Sequence, residues 1–540
     1  MDTQKKKLIF YSLFIIICYF GLIWLMPYMD PDEARYVEIP REMMQLKHYI
    51  IPYLNYTVYL EKPPLYYWMN IIALKIFGFN DFAGRFWTVT ISLLGIFLNY
   101  KFAKKVINKK TAFWSSLILA SSLYYFLIGR LNLIDMTNAF FISMSTYCGY
   151  LFLKEHKKYF LYLMYAGMAL GFLSKALIGI IFPFAILFLW SIFTKQFKSF
   201  FKLISPVGII ILLALCMPWI YMAGTQLSDF YYYFFLKQEF LRYLEPLEHT
   251  QPIWTFIPVV IFGFLPWIIF VFSLFKTYKA TKFKDIEKND LIFLLTFVGF
   301  IFVFYSLSQS KLVTYVAPLF FPAAIILGNL FSKIDTIDKK DKYINLALFS
   351  IFFIALVGFC FIQDVYMSKE KWFLLILPSA IALIILGVLP FIIKDAKKIF
   401  ASLFFGMLIF YNLAIIPTAS YTMYYKTTKP VALFVNKIYK KGDILASYKL
   451  YRQSFNYYTQ KRTVQVDSIN ELGFGYRHLS PKGQEIWFPT IEQFKKVWDS
   501  DHKVILLIKT KEIPKFAYKH YFILLKEPYF SILSNKGRLD

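Results

Sequence analysis

The sequence predicts an all-α membrane protein with many transmembrane helices, followed by a small soluble α/β domain. Of its 540 residues, 58% are hydrophobic and 21% are aromatic, and the mean hydropathy is +0.51. Soluble domains rarely have such a composition. Lysines and arginines also recur in short clusters between long apolar runs, which is typical of the cytoplasmic loops of multi-pass proteins. The drop in hydropathy after Pro417 predicts the soluble domain.

Net charge and cysteine usage argue against two other classes of protein. The net charge of +27 does not indicate a nucleic-acid partner, because the basic residues lie where the positive-inside rule places them. The four cysteines lie inside apolar runs and far apart in the sequence. This pattern favours buried apolar side chains over a disulfide framework or a metal cluster. The cysteines are Cys18, Cys148, Cys216 and Cys360.

Basic loops orient about 13 predicted spans. The first apolar run, residues 8–29, is long enough to cross a membrane and has no small-residue cleavage site, so we expect an uncleaved span with a cytoplasmic N-terminus. Residues 30–64 then lie outside. Residues 65–79 are short for a span and predict a helix lying on the membrane surface, and the aromatic run 231–235 suits a second one. The later predicted spans are 82–102, 112–129, 136–153, two spans hinged at Ser174-Lys175, 203–222, 252–275, 291–308, 312–331, one on each side of 363–371, and 399–417.

The hydropathy profile divides the chain into a transmembrane domain, residues 1–417, and a soluble domain, residues 418–540. β-Branched and aromatic segments in the soluble domain predict strands, and one segment predicts a helix. An odd number of spans from a cytoplasmic N-terminus places this domain on the outer side of the membrane. The loops with unusual charged residues fall on the same side. The predicted strands are 443–448, 503–509 and 520–526, and the predicted helix is 490–498.

The first outer loop contains two polar clusters in an otherwise apolar region. The first cluster, with Asp32 and Arg35, directly follows the first span, and the second cluster, with Glu61 and Lys62, precedes Pro63-Pro64. Ionisable groups near membrane depth usually mark functional sites. An interfacial charge patch and a rigid surface turn are the structural alternatives.

Further charged residues lie at the outer ends of later spans. Asp135 follows Arg130 in a short turn, where an ion pair at a helix end is the alternative interpretation. Arg242 lies in the longest outer loop, and Lys311 and Tyr315 lie at the outer entry of a span. Carboxylates and cations together suit transfer away from a phosphate leaving group, because cations hold the departing phosphate and carboxylates orient the sugar or the acceptor. The chain has no Walker, Rossmann, G-x-S-x-G or H-E-x-x-H motif, which argues against nucleotide-driven transport and the common soluble chemistries.

The two first-loop motifs resemble those of the bacterial aminoarabinose transferase family. The motifs are Asp32-Glu33-Ala34-Arg35-Tyr36 and Tyr59-Leu60-Glu61-Lys62-Pro63-Pro64, and later matches include Arg130, Asp135, Arg242, His249, Lys311 and Tyr315. Members are inner-membrane glycosyltransferases of the GT-C type, related to the protein O-mannosyltransferases. The resemblance implies 13 spans, a periplasmic C-terminal domain and an undecaprenyl-phosphate sugar as donor.

The resemblance also implies roles for single residues. Lys62, Arg242 and Tyr315 match positions that hold the lipid phosphate, and Asp32 and Asp135 match essential acidic positions. The family often has a histidine-containing run before the arginine and can bind a metal there together with the first-loop glutamate. Here that run is Lys237-Gln238-Glu239, so a divalent metal at Glu61 is left open. The full set of candidates is Asp32, Glu33, Arg35 and Asp135 for catalysis, and Tyr36, Tyr59, Glu61, Lys62, Arg242, Lys311 and Tyr315 for binding of substrate or lipid phosphate.

The expected function is transfer of a sugar, such as 4-amino-4-deoxy-L-arabinose, from undecaprenyl phosphate to lipid A. Two alternatives are a related transferase acting on protein hydroxyls or another envelope glycan, and a lipid or glycolipid transporter. A transporter should place paired ionisable residues near mid-membrane, whereas the polar groups here lie at one face. A phosphate acceptor needs no general base, but a hydroxyl acceptor would require Asp32 to act as one.

Overall fold

The computed structural model describes residues 3–241, 251–362 and 369–537. The chain divides into two compact units, which we describe separately. The helical unit comprises Met1–Gly21, Arg85–Ile362 and Phe373–Ala414, and the mixed unit comprises Leu22–Gly84, Gln363–Trp372 and Ile415–Asp540. The first outer loop and the C-terminal segment thus belong to the same unit. The division into a transmembrane domain, residues 1–417, and a soluble domain, residues 418–540, stays a prediction.

The helical unit consists almost entirely of helices in its described residues. Eight segments of the described chain are long and apolar enough to cross a membrane. The total rises to nine if the pair Ile253–Gly263 and Trp267–Thr281, bent by 87°, forms one span. The chain is therefore a multi-pass membrane protein, and the count of 13 spans stays a prediction. The helices are Thr3–Phe20, Ala83–Val106, Lys109–Ser121, Leu123–Ile128, Ile134–Glu155, Lys158–Lys175, Ile178–Phe193, Phe197–Phe200, Pro206–Gln226, Phe256–Gly263, Val271–Thr281, Lys288–Leu307, Phe320–Phe331, Lys339–Ile362, Lys369–Ile392 and Ala396–Tyr425.

Local chemistry explains where several of these helices begin and break. Asn108 caps the helix Lys109–Ser121 by accepting the Thr111 N–H at 2.8 Å. Ser205 caps the helix Pro206–Gln226, which has Pro206 in its first turn. The predicted span 112–129 is interrupted at Ser122, whose backbone is extended. Its hydroxyl bonds the Ile118 carbonyl at 2.6 Å, so the side chain competes for a backbone acceptor of the preceding turn.

A close helix hairpin lies at the predicted hinge of Ser174-Lys175. The helices Lys158–Lys175 and Ile178–Phe193 approach so closely that a Cβ on Gly179 would lie 2.3 Å from the backbone carbon of Gly171. Only glycine at both positions allows this contact. The hairpin turn follows Lys175 directly and fixes where that side chain begins.

The mixed unit contains two helices and a hairpin from the first loop. The helices are Asp32–Leu46 and Leu65–Phe77, and the hairpin pairs β1 (Tyr53–Leu54) with β2 (Thr57–Val58). The second helix confirms the short apolar helix predicted at 65–79. The first helix was not predicted, because it contains Pro40 and is largely polar. Asp32 and Glu33 lie in its first turn, where a carboxylate interacts favourably with the helix dipole.

The C-terminal part of the mixed unit forms a five-stranded mixed sheet covered on both faces. The strand order is β4-β3-β5-β7-β6, with β3 parallel to β4 and β5, and β7 antiparallel to its neighbours. Alternate residues of β5 enter opposite cores, since Leu506 packs with Trp498 while Ile505 packs with Phe455. The strands are β3 (Ile444–Tyr448), β4 (Val464–Val466), β5 (Val504–Lys509), β6 (Phe522–Lys526) and β7 (Phe530–Ser534), and the helices are Lys429–Ile438, Gln453–Thr459, Gly473–Arg477, Pro481–Trp487 and Ile491–Trp498.

The three predicted strands and the predicted helix near the C-terminal end are confirmed. β4 was missed because it has only three residues, and β7 was missed because it follows β6 after a short turn. The fold class predicted from composition, a multi-pass helical protein with a small α/β part, is confirmed.

Candidate functional site

The first-loop motif lies at the N-terminal end of the helix Asp32–Leu46 in the mixed unit. Asp32 is the open end of this motif, with its side chain 56% exposed. Arg35 lies one turn later, and its Nη1 donates to Asp32 Oδ1 at 3.2 Å. The neighbouring Glu33 is buried, at 2% exposed, and its Oε2 accepts the Met29 N–H at 3.3 Å. Of the two predicted carboxylates, Asp32 can reach a substrate, whereas Glu33 holds the chain before the helix.

Asp30, two residues before the motif, is held inside the mixed unit. Its carboxylate accepts the backbone N–H of Ser454 at 2.8 Å and the Ser454 hydroxyl. Burial raises the pKa of the Asp30 carboxyl, and Arg452 and these two hydrogen bonds oppose that rise. Asp30 therefore attaches the first loop to the C-terminal segment of the same unit.

Arg35 connects the two first-loop clusters with Glu471, a residue that was not predicted from the sequence. Its Nη2 lies 2.6 Å from Glu471 Oε2, and its Cζ lies 6.0 Å from the centre of the Tyr59 ring. The Tyr59 hydroxyl donates to the same Glu471 oxygen at 3.3 Å, and Gln453 Nε2 donates to the other oxygen. Burial raises the pKa of Tyr59, which favours its neutral donor form. No local sequence signal marks Glu471, because it stands alone in a polar turn more than 400 residues from Arg35 and Tyr59.

The remaining first-loop candidates divide between packing and partly exposed positions. The Tyr36 ring packs against Tyr66 and Tyr67, with centroids 5.5 Å and 6.1 Å away, so its aromatic face is occupied. Glu61 and Lys62 are half-buried, and Glu61 interacts electrostatically with Arg35.

The described residues do not fit a divalent metal at Glu61. Within the described ranges, no group of three His, Cys, Asp or Glu side chains is arranged to hold a metal ion. The Arg35 cation also acts on Glu61, and a second cation there would be repelled. We therefore assign no step to a metal.

In the helical unit, Asp135 pairs with Lys175 rather than with its sequence neighbour Arg130. Asp135 Oδ1 and Lys175 Nζ form an ion pair in which each side chain is 11% exposed. Lys175 Nζ also lies 4.4 Å from the centre of the Tyr315 ring. Arg130 donates instead to Asn412 Oδ1 at 3.2 Å and to the Gly21 carbonyl. The alternative prediction of a helix-end ion pair between Arg130 and Asp135 is therefore wrong. Asp135 instead lies in a group with Lys175 and Tyr315 from two other segments.

Lys311 is a buried lysine in the loop before Tyr315. Its Nζ donates to the carbonyl oxygens of Gln251, at 3.0 Å, and Ser308. Burial lowers the pKa of Lys311. Arg242, together with His249, lies outside the described residues, so its role stays a prediction.

Two models of known families match separate parts of the chain. Residues 61–222 match the family described as dolichyl-phosphate-mannose-protein mannosyltransferase. Residues 431–521 match the aminoarabinose transferase C-terminal domain. The helical unit and the mixed sheet thus define a class, that of multi-pass membrane proteins built like the lipid-dependent glycosyltransferases.

A solved structure of the same overall fold covers nearly the whole chain. The crystal structure of ArnT from Cupriavidus metallidurans bound to undecaprenyl phosphate covers 99% of both chains with a TM-score of 0.86 at 19% identity. The apo form of that protein gives a TM-score of 0.83 at 18% identity.

Curated relatives identify the family within this class. The undecaprenyl phosphate-alpha-4-amino-4-deoxy-L-arabinose arabinosyl transferase 1 of Proteus mirabilis is 34% identical over 64% of this chain. The corresponding transferase of Wigglesworthia glossinidia brevipalpis is 31% identical over 67% of this chain. The alignments cover 63% and 67% of those relatives, so the match extends over about two thirds of their length. The chain belongs to the family of aminoarabinose arabinosyl transferases, which confirms the resemblance seen in the first-loop motifs.

Proposed function

We propose that this protein is a glycosyltransferase that moves a sugar from an undecaprenyl-phosphate carrier to lipid A. The sugar is an amino sugar such as 4-amino-4-deoxy-L-arabinose. The observation that carries this proposal is the 34% identity to a relative named for that donor and that sugar. The proposal places the protein in the bacterial inner membrane, with residues 418–540 and the reacting groups on the periplasmic side.

The charged groups of the helical unit suit the donor phosphate. Transfer breaks the bond between the anomeric carbon and the phosphate oxygen, and the phosphate leaves with both bonding electrons. Lys175 and Lys311 are cations of the kind that stabilise this negative charge, and Arg242 and Lys62 are proposed to assist. Because Lys175 is paired with Asp135, a bound phosphate would share its ammonium with that carboxylate. Tyr315 borders the same ammonium and can donate a phenolic hydrogen bond to phosphate.

Asp32 is the carboxylate proposed to act on the sugar. A lipid A phosphate is already ionised, so the acceptor needs no base. Asp32 would then stabilise the positive charge that develops at the anomeric carbon and bind the amino group of the sugar. Arg35 donates to Asp32 Oδ1, and Asp32 Oδ2 is the oxygen proposed to contact the substrate.

A second acceptor class is favoured by one specific observation. Residues 61–222 match a family described as acting on protein. If the acceptor were a serine or threonine hydroxyl, Asp32 would have to take its proton as general base.

The experiment is mass spectrometry of lipid A from cells with and without the gene. We expect an increment of an aminopentose or a hexosamine that disappears on deletion, returns with the wild-type gene, and does not return with Asp32→Ala. Asp467→Asn serves as the matched control, because Asp467 is an exposed carboxylate whose ion pair with Lys449 spans 3.7 Å. Unchanged lipid A would overturn the lipid A proposal, and glycopeptide analysis of envelope proteins would then test the second acceptor class.

A further inference from the structure

Glu471 lies in a short 3-10 turn, Asn470–Leu472, between β4 and the helix Gly473–Arg477. It contributes to neither core of the sheet. Its two carboxylate oxygens instead accept hydrogen bonds from Gln453 and Tyr59 and an ion pair from Arg35. A carboxylate with three donors from separate segments is held in one orientation.

The segment around Glu471 is docked directly on the first-loop hairpin. A Cβ built on Gly475 would lie 2.5 Å from the Val58 carbonyl oxygen and 2.6 Å from the Thr57 side chain. The chain can approach the hairpin this closely only because residue 475 is glycine. The side chain of Asn55, in the turn of that hairpin, also bonds the Thr463 carbonyl at 3.0 Å. The contacts of Gly475 and Thr463 with the hairpin therefore fix the position of Glu471 relative to Arg35.

Arg35 has two carboxylate partners of different character. Its contact with Glu471 is short, at 2.6 Å, and lies at the enclosed end. Its contact with Asp32 is longer, at 3.2 Å, and lies at the exposed end. A guanidinium held by Glu471 presents one nitrogen to Asp32 in a fixed direction. Without Glu471, the guanidinium could rotate and take both oxygens of Asp32, the bidentate geometry that arginine prefers with a single carboxylate.

We propose that Glu471 is a positioning residue for Asp32, acting through Arg35, and that the C-terminal α/β segment thereby contributes to the catalytic groups of the enzyme. This inference rests on the proposed glycosyl transfer. The inference gives the C-terminal segment, for which the sequence indicated no role, an indirect part in catalysis through Arg35.

The test is steady-state kinetics of the purified full-length protein with an undecaprenyl-phosphate sugar and whichever acceptor, lipid A or protein, the wild type modifies. We expect Glu471→Gln to lower kcat by about 10- to 100-fold, the effect of misplacing a catalytic group by about 1 Å. The KM for the donor should change by less than about three-fold, because a residue that positions a catalytic side chain affects the transition state more than it affects ground-state binding. Glu471→Asp should recover part of the loss. Asp467→Asn, which removes an exposed carboxylate from the same segment, should keep wild-type kcat.

A double-mutant cycle shows whether Glu471 acts through Arg35. When Arg35→Gln is already present, adding Glu471→Gln should cost less than about two-fold more, since the connection is already broken. Losses that multiply, or a Glu471→Gln variant with wild-type kcat, would overturn the inference while leaving the proposed function intact. If the wild type transfers no sugar to any acceptor, the proposed function fails and this inference fails with it. Should Glu471→Gln not fold, Glu471→Asp carries the test: a several-fold lower kcat at unchanged KM supports the inference, and wild-type kcat overturns it.

Discussion

Lys175 and Asp135 form an ion pair whose two side chains are each 11% exposed, and the lysine faces the ring of Tyr315. A pair this enclosed is costly to break on one side only, because the remaining charge keeps its desolvation penalty without its partner. The position of Lys175 at the end of its helix, beside the close contact of Gly171 and Gly179, fixes that charge in space. The donor-binding groups proposed above centre on this pair.

We expect Lys175→Gln to lower the kcat/KM of sugar transfer by about 100-fold, because the change removes a cation that is proposed to stabilise the leaving phosphate. The measurement is transfer from a radiolabelled undecaprenyl-phosphate sugar at several donor concentrations. Lys105→Gln is the control, since Lys105 pairs with Glu155 at 2.7 Å at a more exposed position of the same unit. Equal activities in the two variants would remove Lys175 from the donor site.

Substitutions of the neighbouring residues Asp32 and Glu33 should have different effects, one on activity and the other on stability. Asp32→Asn is expected to lower kcat by about 100-fold with little change in the thermal midpoint, because its side chain is mostly exposed. Glu33→Gln is expected to lower the thermal midpoint, since a buried charge-assisted hydrogen bond contributes about 1.5–3 kcal/mol. Intrinsic-fluorescence melting and transfer assays on both variants test this. The opposite assignment of effects would make Glu33 the catalytic carboxylate.

Asp30 should give the protein a pH-dependent stability of defined sign. Burial raises the pKa of Asp30 in the folded state, so the folded state binds more protons than the unfolded state in the window above the ordinary carboxyl pKa of about 3.9. Its stabilising contribution is then complete below that value and is lost as pH rises through the raised folded pKa. We expect Asp30→Asn to flatten the fall of the thermal midpoint over this window.

Ser454→Ala supplies the matched comparison for Asp30. The Ser454 hydrogen bonds favour the ionised carboxylate, and removing its hydroxyl should push the loss of stability to higher pH. Thermal midpoints measured from pH 4 to pH 8 in one detergent would show a flatter curve for Asp30→Asn and a fall displaced to higher pH for Ser454→Ala. Parallel curves for the wild type and both variants would exclude Asp30 as the titrating group.

Gly475→Ala and Gly473→Ala place the same added methyl group in a crowded and in an open position of one short helix. A Cβ on Gly475 meets the hairpin backbone at 2.5 Å, whereas a Cβ on Gly473 meets only Ile469, at 3.8 Å. We expect Gly475→Ala to destabilise by about 1–3 kcal/mol, as overpacking does, and Gly473→Ala to be neutral or slightly stabilising. Differential scanning calorimetry is the measurement. Equal midpoints would show that the hairpin can move away at no cost.

The parts of the molecule that depend on local pattern could be predicted from the sequence. Hydropathy located the helices because the apolar runs are long. β-Branched and aromatic content located β3, β5 and β6 because each has five or six residues. The first-loop motifs were recognised because their charges stand out from apolar surroundings. The helix Asp32–Leu46 escaped prediction because its buried face carries Glu38, Arg41 and Glu42, and charged residues conceal an amphipathic period.

The partners of the site residues could not be predicted, because they are set by tertiary contacts. Arg130 and Asp135 are close in sequence, yet the arginine bonds Asn412 and the aspartate bonds Lys175. Lys175 was noticed only as a hinge residue. Glu471 lies more than 400 residues from Arg35, and no spacing rule connects them. A single sequence carries no information on such distant pairs.

The mixed unit is assembled from residues 22–84 and 415–540, which are synthesised far apart in time. The 330 residues between Gly84 and Ile415 take roughly 15–65 seconds to translate at ordinary rates. During that interval the first loop has neither Ser454 to receive Asp30 nor Glu471 to hold Arg35. A nascent chain therefore completes its first-loop motif long before the residues that hold this motif in place have been made, and the proposed transferase activity can begin only after the C-terminal sheet has folded.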